Sequence, residues 1–318
     1  MVKVIAGLMG SSVASGSVHM SQPEQLRAIL ILLDRYGVRE LDTARVYNNG
    51  QSEQHLGAIK DSVEACNLSV ATKVPGFVPG SLSYDKIIRA CNDSLAATKQ
   101  QKFDLYYFHG PDRQKPLEES CRAINQLHSE GKFDRFGVSN FRAEEVHQIV
   151  DICRKNGWVS PSVYQGVYNP LLRAMEPALL PVLRSYGIAF YAYSPLGGSF
   201  FSRSIEQLRT PPAGGRMDQM KVFQTIYVND LSLELLQKLT DTCGKAGVTV
   251  REAALRWLMY HSPLGEADGI ILGASSEAQM EQNLKACEGA QLPESVLDCF
   301  AEISSQYRAA GKDEMYCV

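Results

Sequence analysis

No stretch of this chain approaches the roughly 20 consecutive apolar residues that a bilayer-spanning helix needs, so no membrane span is expected. There is no block of Lys or Arg, and the net charge is only -3. Nucleic acid and anionic membrane are therefore not expected as main partners. The opening run, residues 1–7, lacks the apolar length of a signal peptide, which makes a cytoplasmic location the expectation. The cysteines, at 66, 91, 121, 153, 243, 287, 299 and 317, include no C-x-x-C pair. That spacing disfavours a zinc ribbon or a thioredoxin-like motif and favours reduced thiols used as core fillers. The histidines are scattered at 19, 55, 109, 128, 147 and 261 with no H-x-x-x-H pair, so no metal site is expected. Gly7, Gly10 and Gly16 do not have the G-x-G-x-x-G spacing of a dinucleotide fingerprint. No G-x-S-x-G nucleophile elbow occurs either.

The chain has 318 residues, of which 45% are hydrophobic and 21% charged, an ordinary globular balance with enough length for a large core. Short β-rich runs alternate with helical patterns. The runs are 2–7, 39–42, 69–73, 103–109, 135–139, 162–164, 188–193 and 269–272. Helices are expected from the capping box Ser21-Gln22-Pro23-Glu24 onward and over 52–59, 84–97, 116–130, 143–155 and 177–186. Others are expected at 231–246, at 250–260 behind the capping box Thr249-Val250-Arg251-Glu252, and at 276–287 and 293–307. Regular alternation implies a parallel sheet with right-handed crossovers, and eight such units close into a barrel. The expectation is an α/β protein, a (β/α)8 TIM barrel forming one domain over 1–318, with extra helices and a long loop after strand 7. That loop, 194–230, contains Thr210-Pro211-Pro212-Ala213-Gly214-Gly215 and reads either as a functional lid or as a disordered segment.

Asp42, Lys73 and His109 each end one of the runs, and Tyr47 follows five residues after Asp42. In a parallel barrel all four side chains converge at the carboxyl-end mouth, where catalytic groups gather. Adding hydride to a carbonyl carbon requires a proton for the oxygen, and a side chain must supply it near neutral pH. Free tyrosine, with a pKa of about 10, is a poor acid there. A neighbouring ammonium stabilises the phenolate and lowers that value, a part Lys73 can play for Tyr47. A buried ammonium needs a carboxylate, and Asp42 is the natural one. Neutral His109 can donate a hydrogen bond to the carbonyl oxygen and orient it. Each residue also has a bland reading, as a turn cap, a rim aromatic, a solvated strand end or a turn histidine. Four such accidents at one end of three neighbouring strands are much less probable together.

Asp42-Thr43-Ala44-x-x-Tyr47 with Gly50-Gln51-Ser52-Glu53 and Leu56-Gly57 behind it, Gly137-Val138-Ser139-Asn140-Phe141, and Ile271-Leu272-Gly273-Ala274-Ser275-Ser276 resemble the three signatures of the aldo-keto reductases. Tyr107-Phe108-His109-Gly110-Pro111-Asp112, Val163-Tyr164-Gln165-Gly166-Val167-Tyr168-Asn169 and Glu281-Gln282-Asn283-Leu284 bring the likeness closer to the aflatoxin-aldehyde and succinic-semialdehyde reductase subfamily. The resemblance implies NADPH-dependent reduction of a small aldehyde or ketone by the Asp42, Tyr47, Lys73, His109 tetrad, with His109 also touching substrate. It implies NADPH/NADP⁺ lying extended across the mouth, with Asp42, Ser139, Asn140 and Gln165 near the nicotinamide and Tyr193 stacked on its ring. Ser194, Leu196, Gly198, Arg203 and Ser204 would follow the pyrophosphate. Gly273, Ser275, Gln279 and Asn283 would meet the adenosine end at a helix N-terminus, which favours anions. Arg216 would reach the phosphate end. A Lys that many members carry in the last signature is replaced here by Gly273-Ala274, so NADH use stays open. A homodimer is what the subfamily suggests. The rivals are a cofactor-binding regulatory subunit like potassium-channel β-subunits, and a barrel hydrolase or aldolase with Lys73 as a Schiff-base amine.

Overall fold

Runs rich in β-branched and aromatic residues pair as parallel strands when a helix supplies every return path. The computed structural model describes residues 1–9, 23–213 and 216–313. Its strands are β1 (Lys3–Gly7), β2 (Glu40–Asp42), β3 (Ser69–Val74), β4 (Phe103–Phe108), β5 (Phe133–Ser139), β6 (Val163–Val167), β7 (Ala189–Tyr193) and β8 (Gly269–Leu272). Each pairs in parallel with the next, and β8 pairs with β1, which closes a (β/α)8 TIM barrel. The first run is therefore a true barrel strand.

Alternation along each strand divides side chains between the lumen and the helix layer. Ile5, Ala71, Leu105, Tyr107 and Tyr191 belong to the lumen cluster. Leu41, Val70, Tyr106, Phe108 and Phe190 point the other way and pack under the helices. The amino-terminal end of the lumen holds a polar plug. Arg135 bonds to Asp104 and, at 3.1 Å, to Glu40, and the Tyr191 hydroxyl donates to Glu40 at 2.9 Å. The same alternation carries Asp42, Lys73, Tyr107 and Gln165, two residues after Glu40, Ala71, Leu105 and Val163, to the lumen side of the opposite end.

Several expected elements differ in detail. The helix Gln51–Ala58 is followed by a further short helix, Lys60–Ala65, and the helix expected at 177–186 is two pieces, Met175–Ala178 and Leu180–Tyr186. Pro181 stands at the start of the second piece, where its missing N–H costs no helical bond. The strand expected at 162–164 runs on to Val167.

The long loop expected after β7 is the main correction. Among its described residues are a 3-10 segment, Gly197–Ser202, and the helices Ile205–Arg209, Arg216–Gln219 and Lys221–Tyr227. Phe200, Phe201, Leu208, Met217 and Tyr227 anchor the segment in the core, apolar contacts that composition alone had obscured behind its Pro and Gly residues. Ser204 caps the second piece, its Oγ accepting from the Gln207 amide at 3.2 Å. Ser21 and Gln22 of the first capping box, Gly10, Gly16, His19, the Gly214-Gly215 pair and Cys317 lie outside the described residues.

Candidate active site

Asp42 ends β2, Lys73 is the penultimate residue of β3, and His109 follows β4 directly. Tyr47 opens a short 3-10 turn, Tyr47–Gly50, made possible by positive φ at Asn48, Asn49 and Gly50. Gly50 also leaves room for a neighbouring side chain. A Cβ would lie 2.6 Å from the Arg45 guanidinium, which crosses it to reach the buried Glu53 at 3.1 Å. Glu53 also accepts from Thr72 Oγ1 at 2.7 Å, so one buried carboxylate ties the turn carrying Tyr47 to the strand carrying Lys73.

The fold brings the four residues together. Lys73 is completely buried, and its ammonium donates to Asp42 Oδ1 at 2.5 Å and to the Thr43 carbonyl at 2.8 Å, with Tyr47 beside it. Burial alone would lower the lysine's pKa. The Asp42 carboxylate outweighs this and holds it above its ordinary value. The other Asp42 oxygen accepts from Gln165 Nε2 at 2.8 Å. The ammonium lies 5.1 Å from the centre of the Tyr47 ring and 5.5 Å from that of Tyr107. His109 meets the Tyr47 ring edge-on, with centroids 5.7 Å apart. Burial, and then the Lys73 charge, lower the His109 pKa from 6.5 to about 3, so the imidazole is neutral at neutral pH.

The remaining sequence-derived candidates lie on β5 to β8 and on the segments that follow those strands. Asn140, at φ 64°, donates to the His109 carbonyl at 3.0 Å and to Ser139 Oγ at 2.9 Å, and it accepts from the Tyr193 hydroxyl at 2.8 Å. Ser194 is also left-handed, and its carbonyl accepts from Asn169 and from the Gly197 amide. Leu196 accepts the amides of Ser199 and Phe201, which shapes the turn, and Gly198 lies beneath the Phe223 ring, where a Cβ would be 2.8 Å away. Arg203 and Ser204 line a cleft of about 460 Å³ together with Thr249 and Arg251. After the adjoining strand β8, Ser275 donates to Gln279 Oε1 through both its amide and its hydroxyl. That places both at the start of the helix Glu277–Cys287. Asn283 donates weakly, at 3.4 Å, to the Gly273 carbonyl, and its buried Oδ1 has no partner among the described residues. An orphaned acceptor beside an exposed helix N-terminus suits a ligand carrying both an amino group and an anion. The Arg216 side chain lies outside what the structure describes.

Sequence reasoning passed over Arg45, Glu53, Tyr107 and Arg251. Counting by two along β3 and β4 would have found Tyr107. Glu53 sat in a quoted motif, but nothing local announced its burial. Phe77 was missed as well: its half-exposed ring stands 6.0 Å from His109 at φ 66°.

A profile of the Aldo/keto reductase family matches residues 3–305. The chain belongs to the aldo-keto reductase family. Aflatoxin B1 aldehyde reductase member 4 of Homo sapiens is 37% identical over 297 residues, covering 88% of each chain. Oxidoreductase sirO of Leptosphaeria maculans is 39% identical over 280 residues, covering 86% of this chain and 84% of its own. Aldo-keto reductase pigE of Monascus ruber is 34% identical across 96% of this chain and 94% of its own. Membership of this family makes the chain an oxidoreductase of carbonyl-reducing type, in a family that generally uses nicotinamide cofactors. Among the described residues, no helix is long and apolar enough to cross a membrane, and no cluster of His, Cys, Asp and Glu is arranged to hold a metal ion.

Proposed function

We propose that this aldo-keto reductase reduces an aldehyde or ketone to an alcohol with NADPH, and that Tyr47 donates the proton. One observation carries the reading: the buried Lys73 ammonium bonds to Asp42 on one side and lies against Tyr47 on the other, 5.1 Å from its ring centre. When bound, NADPH would supply hydride to the carbonyl carbon. Tyr47 gives its hydroxyl proton to the carbonyl oxygen, and the ammonium beside it stabilises the phenolate left behind. Asp42 keeps that ammonium charged although it is fully buried. Neutral His109 donates a hydrogen bond to the same oxygen and aims it at Tyr47. In the alcohol-oxidising direction Tyr47 takes the proton back.

Gln165, Asn140 and Ser139 are the proposed amide contacts of the cofactor, and Tyr193 its stacking partner. Ser194, Leu196, Gly198, Arg203 and Ser204 would follow its pyrophosphate. Gly273, Ser275, Gln279, Asn283 and Arg216 would receive the 2′-phosphate and adenine. The cytoplasmic location remains part of this proposal.

The test is turnover of a generic aldehyde, 4-nitrobenzaldehyde, with NADPH and then NADH. Tyr47→Phe should lower kcat by about 10²–10⁴-fold, the usual weight of one general acid, with NADPH affinity unchanged. A variant near parent activity would remove Tyr47 from the proton role. Parent protein that binds NADPH without turnover would point to the regulatory-subunit reading, and equal KM values for the two cofactors would end the NADPH preference.

A further inference from the structure

Lys73, Tyr107 and Gly137 are direct neighbours across three strands, with Lys73 paired to Tyr107 and Tyr107 paired to Gly137. Gly137 supplies the space for the Tyr107 ring, because a Cβ there would lie 2.4 Å from the ring carbons. The ring occupies the lumen beneath the tetrad, fully buried, with the Lys73 ammonium over it at 5.5 Å. Tyr47 faces the same ammonium at 5.1 Å, so the cation has two aromatic rings as neighbours. Burial, and then the Asp42 charge, hold the Tyr107 phenol well above its ordinary range, so it remains neutral. An aromatic face attracts a cation, and the attraction grows when both are desolvated.

We propose that Tyr107 is a positioning residue whose ring face holds the Lys73 ammonium at the height where it meets the Tyr47 hydroxyl. This role rests on those proposed for Tyr47 and Lys73. Asp42 fixes the ammonium laterally, the Thr43 carbonyl accepts one of its hydrogen bonds, and the Tyr107 ring limits how deep it can sink into the lumen. The hydroxyl of Tyr107 lies beside Gln165 and has no part in this role.

The test separates ring from hydroxyl and shape from charge distribution. Tyr107→Phe keeps the ring and should retain kcat within about threefold of the parent. Phenylalanines carrying one, two and three ring fluorines, introduced at 107, keep the shape while depleting the negative face. Aldehyde kcat should fall by about twofold per fluorine, with KM for NADPH constant. A flat series would overturn the proposal, as would a Tyr107→Phe variant that loses activity as steeply as Tyr107→Leu. Unfolding midpoints of the same series are then read in the parent and in a Lys73→Met background. Each fluorine should lower Tm only where the ammonium is present. Equal slopes in the two backgrounds would refute the ring–cation contact whatever turnover shows, whereas an inactive parent with unequal slopes would fault only the proposed reaction.

Discussion

His109 illustrates how burial sets chemistry at a single residue. Its pKa falls from 6.5 in the unfolded chain to about 3 in the folded one. Between those values the unfolded state takes up a proton that the folded state does not, so acid favours unfolding. The stability linked to this residue is complete above about pH 6.5 and is lost as the pH falls toward 3. Denaturant midpoints of the parent should therefore drop more between pH 7.5 and 5 than those of His109→Gln. Parallel curves would show that His109 titrates normally in the folded protein. Glu53 is a second case of burial deciding meaning. In the sequence it is one more acidic residue of a motif; in the fold it is the buried link between Arg45 and Thr72.

At the scale of elements, the strand register does what no single residue can. Parallel pairing with period-two alternation sets Lys73, Tyr107 and Gly137 side by side and turns them into one lumen. Gly137→Ala should therefore act through its neighbour. The new methyl would displace the Tyr107 ring from under the ammonium, lowering Tm by several degrees and kcat more than tenfold while KM for NADPH stays close to the parent value. Retained kcat in a folded Gly137→Ala protein would mean that the lumen absorbs the methyl without moving Lys73. The same period of two made the strands legible from their residues, and Asp42, Lys73 and His109 stood out because each closed a run. The segment after β7 was not legible in the same way. Its Pro and Gly residues read as loop, whereas its short helices exist because Phe200, Phe201, Met217 and Tyr227 find core to bury against, which is a tertiary circumstance.

For the whole molecule, closure is the governing fact. The first strand pairs with the last across nearly the entire chain, with Lys3 opposite Gly269 and Ala6 opposite Leu272. We propose on this basis that residues 1–318 act as one domain. Deleting residues 1–9 would remove β1 and expose the edges of both β2 and β8, which invites aggregation. The expected result is loss of monomeric folded protein or a Tm lowered by more than about 10 °C, read by size-exclusion chromatography and circular dichroism. A truncated chain that melts like the parent would defeat the single-domain proposal.

The residues alone determined the alternation of strands and helices, and with it the barrel. They also placed Asp42, Lys73 and His109 at strand ends, because side-chain periodicity and terminal punctuation are local properties of a chain. Only the tertiary structure decided that Lys73 has two bonded acceptors and two flanking rings, that burial lowers the His109 pKa, and that Glu53 joins the Tyr47 turn to β3. Those outcomes depend on burial and on distances between residues 19 to 123 positions apart, set by closure and packing and not by sequence order.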